Sequence, residues 1–482
     1  MSSSRPPIIL WFRQDLRLKD NPALTAAVER GQPVIPVYIL DDKTAGEWAA
    51  GGASRWWLHR SLESLAFDLR KLGSRLILRE GIAAEEIDQL IRDTGAAAVY
   101  WNRCYEPFSL ERDKALKEDL KARDIEAASF NANLLAEPWT VRNKSGDPFR
   151  VFSAFWRSVR ADLDPGHPLP PPDHMDTPED WPATISLDAL ELLPANPNWA
   201  EGFESVWTPG EQGAYDRLIG FFDCGAKHYD KGRDRPDKPY TSSLSPHLHH
   251  GEISPRQLFA AIETVREEIG DQNAEKFLSE IGWREFSHSL LFHFPQFPEK
   301  NYQNKFDRFP WRHDTDALRA WQRGHTGYPI VDAGMRELWT TGWMHNRVRM
   351  ITASFLIKHL MIDWREGEKW FWDTLVDADL ANNSAGWQWV AGSGADASPY
   401  FRIFNPITQG EKFDPDGDYV RKWVPELASL PNKFLNRPWE ADTATLEKAG
   451  IRLGETYPEP IVDHKTARER ALTAFQSLKE AA

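Results

Sequence analysis

Ser54–Glu80 reads SRWWLHRSLESLAFDLRKLGSRLILRE, and its two parts differ in period. Through Gly73 the apolar residues recur at helical spacing, whereas RLILRE, from Arg75, is a short apolar run of the kind a buried strand uses. Three similar runs stand nearby: IILWF at 8–12, VIPVYIL at 34–40 and AAAVYW at 96–101, with further helical patterns between them. Strand and helix in alternation predict a doubly wound α/β domain over residues 1–135, its parallel sheet covered on both faces.

Beyond it the chain changes character twice. Asp164 to Pro209 holds ten prolines, including LPPPD, which excludes a continuous helix and marks 136–209 as a connector wrapping a surface. From about Gly210 to the end, amphipathic helical patterns dominate and strand-like alternation is almost absent, so 210–482 is read as an all-helical domain. With 482 residues, 41% hydrophobic and 12% aromatic, two or three such cores are affordable by size.

Other features narrow the class. MSSSRPP followed by IILWF is too short for a secretory signal, and no apolar run approaches a membrane span. Cys104 and Cys224 are far apart and indicate neither a disulfide framework nor a zinc site. A cytoplasmic, bacterial-type monomer with no membrane partner is the expectation. The net charge of −14 repels polyanions on average, but screening over about 10 Å leaves a local basic groove able to bind nucleic acid.

Familiar nucleotide and metal signatures are missing. Where a G-x-G-x-x-G would follow the first strand stands WFRQDLRLKDNPAL, and GSGADA at Gly392 lies in the helical zone and reads as a loop. HLHH, His247–His250, reads as a helix-start group, with no metal expected. In the helical zone two stripes mix aromatic surface with hydrogen-bonding groups. SEIGWREF aligns Glu280, Trp283, Arg284 and Ser287; TGWMHNRVRM aligns Trp343, Asn346 and Met350, with Arg349 on another side. Burying an unpaired amide or carboxylate is costly, and a planar ligand with polar edges would satisfy both parts. DADLANNSAGWQWVAGSG, Asp377–Gly394, adds acids, a neutral amide pair and two tryptophans among glycines.

These motifs, with TSSLSPHLHHGEISPRQ, TGYPIVDAGMREL, DWREGEKWFW and YFRIFNPITQGEKFDP, resemble the photolyase and cryptochrome family over nearly the whole chain. The pattern is most similar to cyclobutane pyrimidine dimer photolyases, and YEPFSLERD resembles a segment of plant cryptochromes and their bacterial class III photolyase relatives. The resemblance implies light-driven repair of pyrimidine dimers in UV-damaged DNA, by electron transfer from excited reduced FAD to a flipped-out dimer. It assigns Tyr229 and Thr241, Ser242, Ser243, Leu244 and Ser245 to the FAD phosphates, Arg349 and Asp377 to an ion pair beside the flavin, Asp379 to a cofactor contact, and Asn383 to the central ring nitrogen. Trp387, Trp364 and Trp311 take the family's electron-hopping positions. Trp283 and Trp389 would pack on the dimer, with Glu280 and Asn346 on its polar edges. Arg233, Arg284, Arg347, Met350, Arg402 and Gln409 would complete the DNA surface, joined by the locally basic KHYDKGRDRPDK.

An antenna chromophore is also implied, 5,10-methenyltetrahydrofolate with a deazaflavin or none as the alternatives, and Trp56, Trp57, Glu106 and Glu111 are its candidate neighbours. Family members that repair six-four photoproducts place a histidine in this region, and GWMHNR puts Asn346 after His345, which favours the cyclobutane dimer. The alternative is a cryptochrome, a blue-light receptor without repair; the chain's end at KEAA, without a long tail, counts against it. A thermally driven flavin oxidoreductase lacks a nicotinamide fingerprint.

Overall fold

In the computed structural model the described residues are 5–397 and 401–480; Tyr400 of the last family motif and the final alanines of KEAA lie outside them. The chain divides into two compact units that do not follow it linearly. The first comprises Met1–Asp223, Ser242–Pro295 and Val376–Ala381; the second, Cys224–Thr241, Gln296–Leu375 and Asn382–Ala482.

The first unit contains a sheet of β1 (Ile8–Phe12), β2 (Val34–Leu40), β3 (Ile77–Glu80), β4 (Ala98–Asn102) and β5 (Glu126–Phe130). They are all parallel, in the order β3-β2-β1-β4-β5. Strand alternation explains the double winding. Ile8, Leu10 and Phe12 enter one core with Leu58, Leu62, Leu65 and Leu69 of helix α1 (Gly52–Lys71), while Ile9 and Trp11 enter another with Ile87, Leu90, Leu116 and Leu120. Both faces are therefore apolar and covered, as a parallel sheet requires. The sequence pattern missed β5, whose EAASF is half-exposed along its length and carries no apolar run.

The proline-rich stretch behaves as a wrapping strap. Residues 163–187 hold no helix or strand, yet Val34 donates to the Asp176 carbonyl at 2.8 Å and Ile185 to that of Leu78 at 3.1 Å. The same unit includes helices α2 (Pro255–Ile269), which opens on a Ser254–Gln257 capping box, and α3 (Asp271–His293).

Buried carboxylates join its chain-distant parts. Glu252 accepts from Trp57 Nε1 at 3.0 Å and from the Gly210 amide at 2.6 Å, and also pairs with His247. Asp20 accepts from Ser254 Oγ at 2.5 Å and pairs with Arg256 at 2.8 Å. Glu211 takes the Leu18 amide at 2.8 Å, and Glu285 takes those of Leu135 and Ala136 at 2.9 and 3.2 Å.

The second unit is helical. It includes α4 (Pro329–Thr341), α5 (Asn346–Ser354), a π-helical turn at Phe355–Leu360, α6 (Trp364–Thr374), α7 (Leu380–Ala391) from Asn382 onward, and α8 (His464–Glu480). No helix among the described residues is long and apolar enough to cross a membrane.

Glu285 offers a test of the carboxylate scheme. Glu285→Ala leaves the partly buried Leu135 and Ala136 amides without this acceptor and should cost about 1–3 kcal/mol for each that stays unpaired. Glu285→Gln keeps one acceptor oxygen and should cost less, as measured by urea denaturation. Equal costs would show that the two hydrogen bonds contribute nothing.

Candidate functional site

In the first unit the candidate acids lie just ahead of α7 instead of on it, because the helix starts only at Leu380. Asp377 and Asp379 are both buried. Asp379 faces His288 Nε2 at 3.4 Å and His249 Nδ1 at 3.8 Å. Burial alone would raise its pKa, but the two imidazoles win and hold the carboxyl well below its ordinary value, so Asp379 stays ionised at neutral pH. His249 belongs to the HLHH group. Its neighbours are occupied differently, His247 on Glu252 and His250 stacked on Trp57 with ring centroids 5.8 Å apart. Ser242–Leu244 precedes the short helix Ser245–His249 that carries most of this group, with Ser243 at φ 51°, a left-handed conformation that non-glycine residues seldom adopt.

Helix α3 carries the first stripe. Trp283 stacks one face on Phe152, centroids 3.8 Å apart and planes 10° from parallel, so only its other face remains for a ligand. Glu280 pairs with Lys276 at 3.3 Å. Arg284 turns inward instead, donating to the Asn133 carbonyl at 2.6 Å and standing 3.6 Å from Glu285, so it does not join the outward row.

The second stripe is corrected by the backbone. Gly342, at φ 69°, ends α4, and α5 starts only at Asn346 with His345 as its cap, so Trp343 shares no helix face with Asn346 and Met350. Asn346 is exposed, Met350 half-buried. His345 Nδ1 accepts the Arg347 amide at 3.2 Å, which puts the proton on Nε2. Burial depresses this imidazole to about 4, so it is neutral. Among the described residues, His345 Nε2 and the Oε1 of half-buried Gln409 have no hydrogen-bond partner, as expected of groups that meet a ligand or water. Arg347 pairs with Asp234 at 2.8 Å, and Arg349 Nε donates to the Met344 carbonyl at 2.7 Å.

Asn383 is anchored through its nitrogen. Nδ2 donates to the Glu368 carbonyl at 3.0 Å, which leaves Oδ1 as the free end of the amide. Below it the Glu368 carboxyl accepts from Ser384 at 2.6 Å, and burial raises it to about 8. Glu368 and His288 were not picked out from sequence, and His249 only as one of the helix-start histidines of HLHH; Glu368 is legible there only as the residue one turn after Trp364 in DWREGEKWFW.

The tryptophan positions differ in setting. Trp387 is buried against Phe371 at 4.9 Å and Trp321 at 6.2 Å. Trp364 is fully buried with Nε1 on Asn301 Oδ1 at 3.0 Å, and Trp311 is half-buried beside Phe309 at 4.4 Å. Trp389 is half-buried. A Cβ on Gly367 would lie 2.1 Å from the Trp387 ring, so only glycine lets α6 approach it.

Two other expectations change. In KHYDKGRDRPDK, Arg235 binds Asp237 and Asp416, and Lys238 binds Asp237 and Asp418, so the stretch is largely neutralised locally. Tyr229 is buried in a short helix, half-buried Arg233 lies 5.7 Å from its ring centroid, Thr241 is half-buried, and Arg402 is exposed. The proposed antenna set does not form a chromophore surface. Trp56 and Trp57 are core residues packed on Phe203 and Trp207, and Glu106 is buried and holds Gln14 at 2.6 Å; only Glu111 is exposed.

Comparison with known proteins agrees with this anatomy. Residues 8–173 match the DNA photolyase family model, and residues 277–477 match the FAD binding domain of DNA photolyase. A deoxyribodipyrimidine photo-lyase of Agrobacterium fabrum is 55% identical over 100% of both chains. Cryptochrome-1 of Arabidopsis thaliana is 40% identical over 98% of this chain and 70% of that one. The crystal structure of a bacterial class III photolyase from Agrobacterium tumefaciens superposes with a TM-score of 0.97, covering 100% of this chain and 99% of that chain at 55% identity.

Gly367→Ala tests the placement of Trp387. The added methyl should displace the indole and cost about 1–3 kcal/mol by overpacking. Light-driven reduction of bound oxidised flavin should slow with it. Parent-like stability and photoreduction together would mean that the contact yields freely.

Proposed function

The chain belongs to the photolyase and cryptochrome family, and we propose that it acts as a deoxyribodipyrimidine photolyase, repairing cyclobutane pyrimidine dimers in UV-damaged DNA under blue light. The observation that carries this reading is 55% identity over the full length to a protein of that activity. FAD, when bound and reduced, supplies the photoexcited electron. Every other role falls to side chains.

The residues present fit that cofactor. Asp379 offers an ionised carboxylate kept ready by His249 and His288, and Asn383 offers an oriented amide oxygen able to accept from a ring N–H. A neutral amide in that place favours neither charge state of the ring. Arg349 and Asp377 are the further charges for the flavin, with Tyr229 and Thr241–Ser245 for its phosphates. Trp387, Trp364 and Trp311 are the route by which an oxidised cofactor is refilled from the surface, indoles suiting this because their radical cation is delocalised.

For the lesion, the free face of Trp283 gives a stacking platform worth about 1–3 kcal/mol. Trp389 and Met350 supply further apolar contact, and Asn346 reaches the polar edges of the bases. Glu280 stands where charge grows on the dimer carbonyls, and a preorganised hydrogen bond there is typically worth a few kcal/mol. Flipping the dimer out costs least because its stacking is already damaged. Arg233, Arg402 and Gln409 meet the backbone, positioning DNA without reading its sequence. A folate antenna remains part of the proposal, held by residues other than Trp56 and Trp57. A cytoplasmic monomer completes it.

The test is loss of thymine dimers from a defined oligonucleotide by fully reduced enzyme, in light and in darkness. Repair should require light. Glu280→Ala should lower repair per absorbed photon several-fold at saturating DNA, while Trp283→Ala should chiefly weaken binding. Flavin photoreduction without any dimer loss would instead identify a cryptochrome.

A further inference from the structure

We propose that Lys358 is a positioning residue for DNA binding: its amine holds the Arg402 carbonyl inward so that the Arg402 guanidinium is fixed at the surface for phosphate. This rests on the reading of Arg402 as a phosphate contact. Lys358 sits in the π-helical turn Phe355–Leu360, a form of helix that is rare and often marks functional sites. It is 2% exposed, and lysine is almost never buried so fully unless paired. Among the described residues no carboxylate pairs with it. Its Nζ instead donates to the Arg402 carbonyl at 2.7 Å and lies 4.3 Å over the Phe401 ring. Burial lowers the amine to about 7, so this placement works against the group's own solvation.

The neighbouring contacts show what the amine holds. Phe401 stacks on Phe475 of α8, centroids 4.6 Å apart and planes 7° from parallel. The Phe404 amide donates to Ser354 Oγ at 3.3 Å. The chain on either side of Arg402 is therefore pinned inward, while Arg402 itself is exposed with its guanidinium 4.9 Å over the Phe404 ring. An arginine on a pinned backbone does not have to be ordered when DNA arrives, which preserves affinity. Removing the amine frees the carbonyl and blurs that position.

The experiment measures lesion-DNA affinity against salt for the FAD-loaded parent, Arg402→Ala, Lys358→Met and the double variant. Arg402→Ala should flatten the log–log slope by about 0.9, the share of one phosphate in duplex DNA. Lys358→Met should weaken binding several-fold at low salt and flatten the slope comparably, and the double variant should be no flatter than either single one. FAD content should match the parent in all of them, which a merely destabilised protein would not manage. A parent-like slope for Lys358→Met beside a flattened one for Arg402→Ala overturns the proposal and leaves Arg402 on DNA. A parent-like slope for Arg402→Ala removes Arg402 from the DNA surface and the purpose of Lys358 with it. If Lys358→Met fails to retain FAD, Phe401→Leu, which takes away the ring under the amine, carries the same comparison. It should flatten the slope in part, and an unchanged slope overturns the proposal.

Discussion

A carboxylate can leave water only where donors replace its hydration, and this constraint recurs through the first unit. Asp20, Glu211, Glu252 and Glu285 each take donors from parts of the chain far away in sequence: Ser254, Leu18, Trp57 and Leu135. Apolar packing alone tolerates many arrangements of the same residues. An acid that must meet particular amides tolerates few, and each of these bonds fixes one junction of a unit assembled from three separate stretches of chain. Asp379 differs from the other four. The side chains of His249 and His288 face it, and a carboxylate can accept a ligand's N–H or hydroxyl beside them.

The same contrast separates scaffold from site in the helical unit. Asp332 is satisfied by Thr326, Gly327 and Tyr457, and Glu337 by Tyr419 and the His345 amide, so both are finished structures. His345 Nε2 and Gln409 Oε1 are unfinished, and Asn383 is held by one end only. Half-satisfied polar groups destabilise a folded chain unless something else completes them. All three lie within residues 277–477, which match the FAD binding domain of DNA photolyase.

What was legible in the sequence follows from where each signal resides. Strands β1, β2 and β4 are buried on both faces, as are Ile77 and Leu78 of β3, and so appear as apolar runs; β5 is half-exposed and gave no such run. The stripe Glu280–Trp283 is local and survives on α3. The stripe through Trp343 failed because Gly342 at φ 69° stops one helix before His345 starts the next, a turn that spacing alone does not reveal. Trp56 and Trp57 look like a chromophore cradle only while their burial is unknown. The partnership of Asp379 with His249 and His288 spans 130 and 91 residues, so no periodicity could express it. Motif resemblance reached the acid but not its histidines.

The central claim is that Asp379 is ionised for the flavin and not for the fold. Asp379→Asn measures this directly, with FAD stoichiometry and thermal melting recorded on the same preparations. Asparagine keeps the size and an acceptor oxygen for His249 and His288, so the FAD-free protein should melt close to the parent. Retention of FAD should fall several-fold. An FAD-free variant that melts well below the parent, together with undiminished FAD retention in the loaded protein, would make Asp379 one more structural carboxylate and contradict the account.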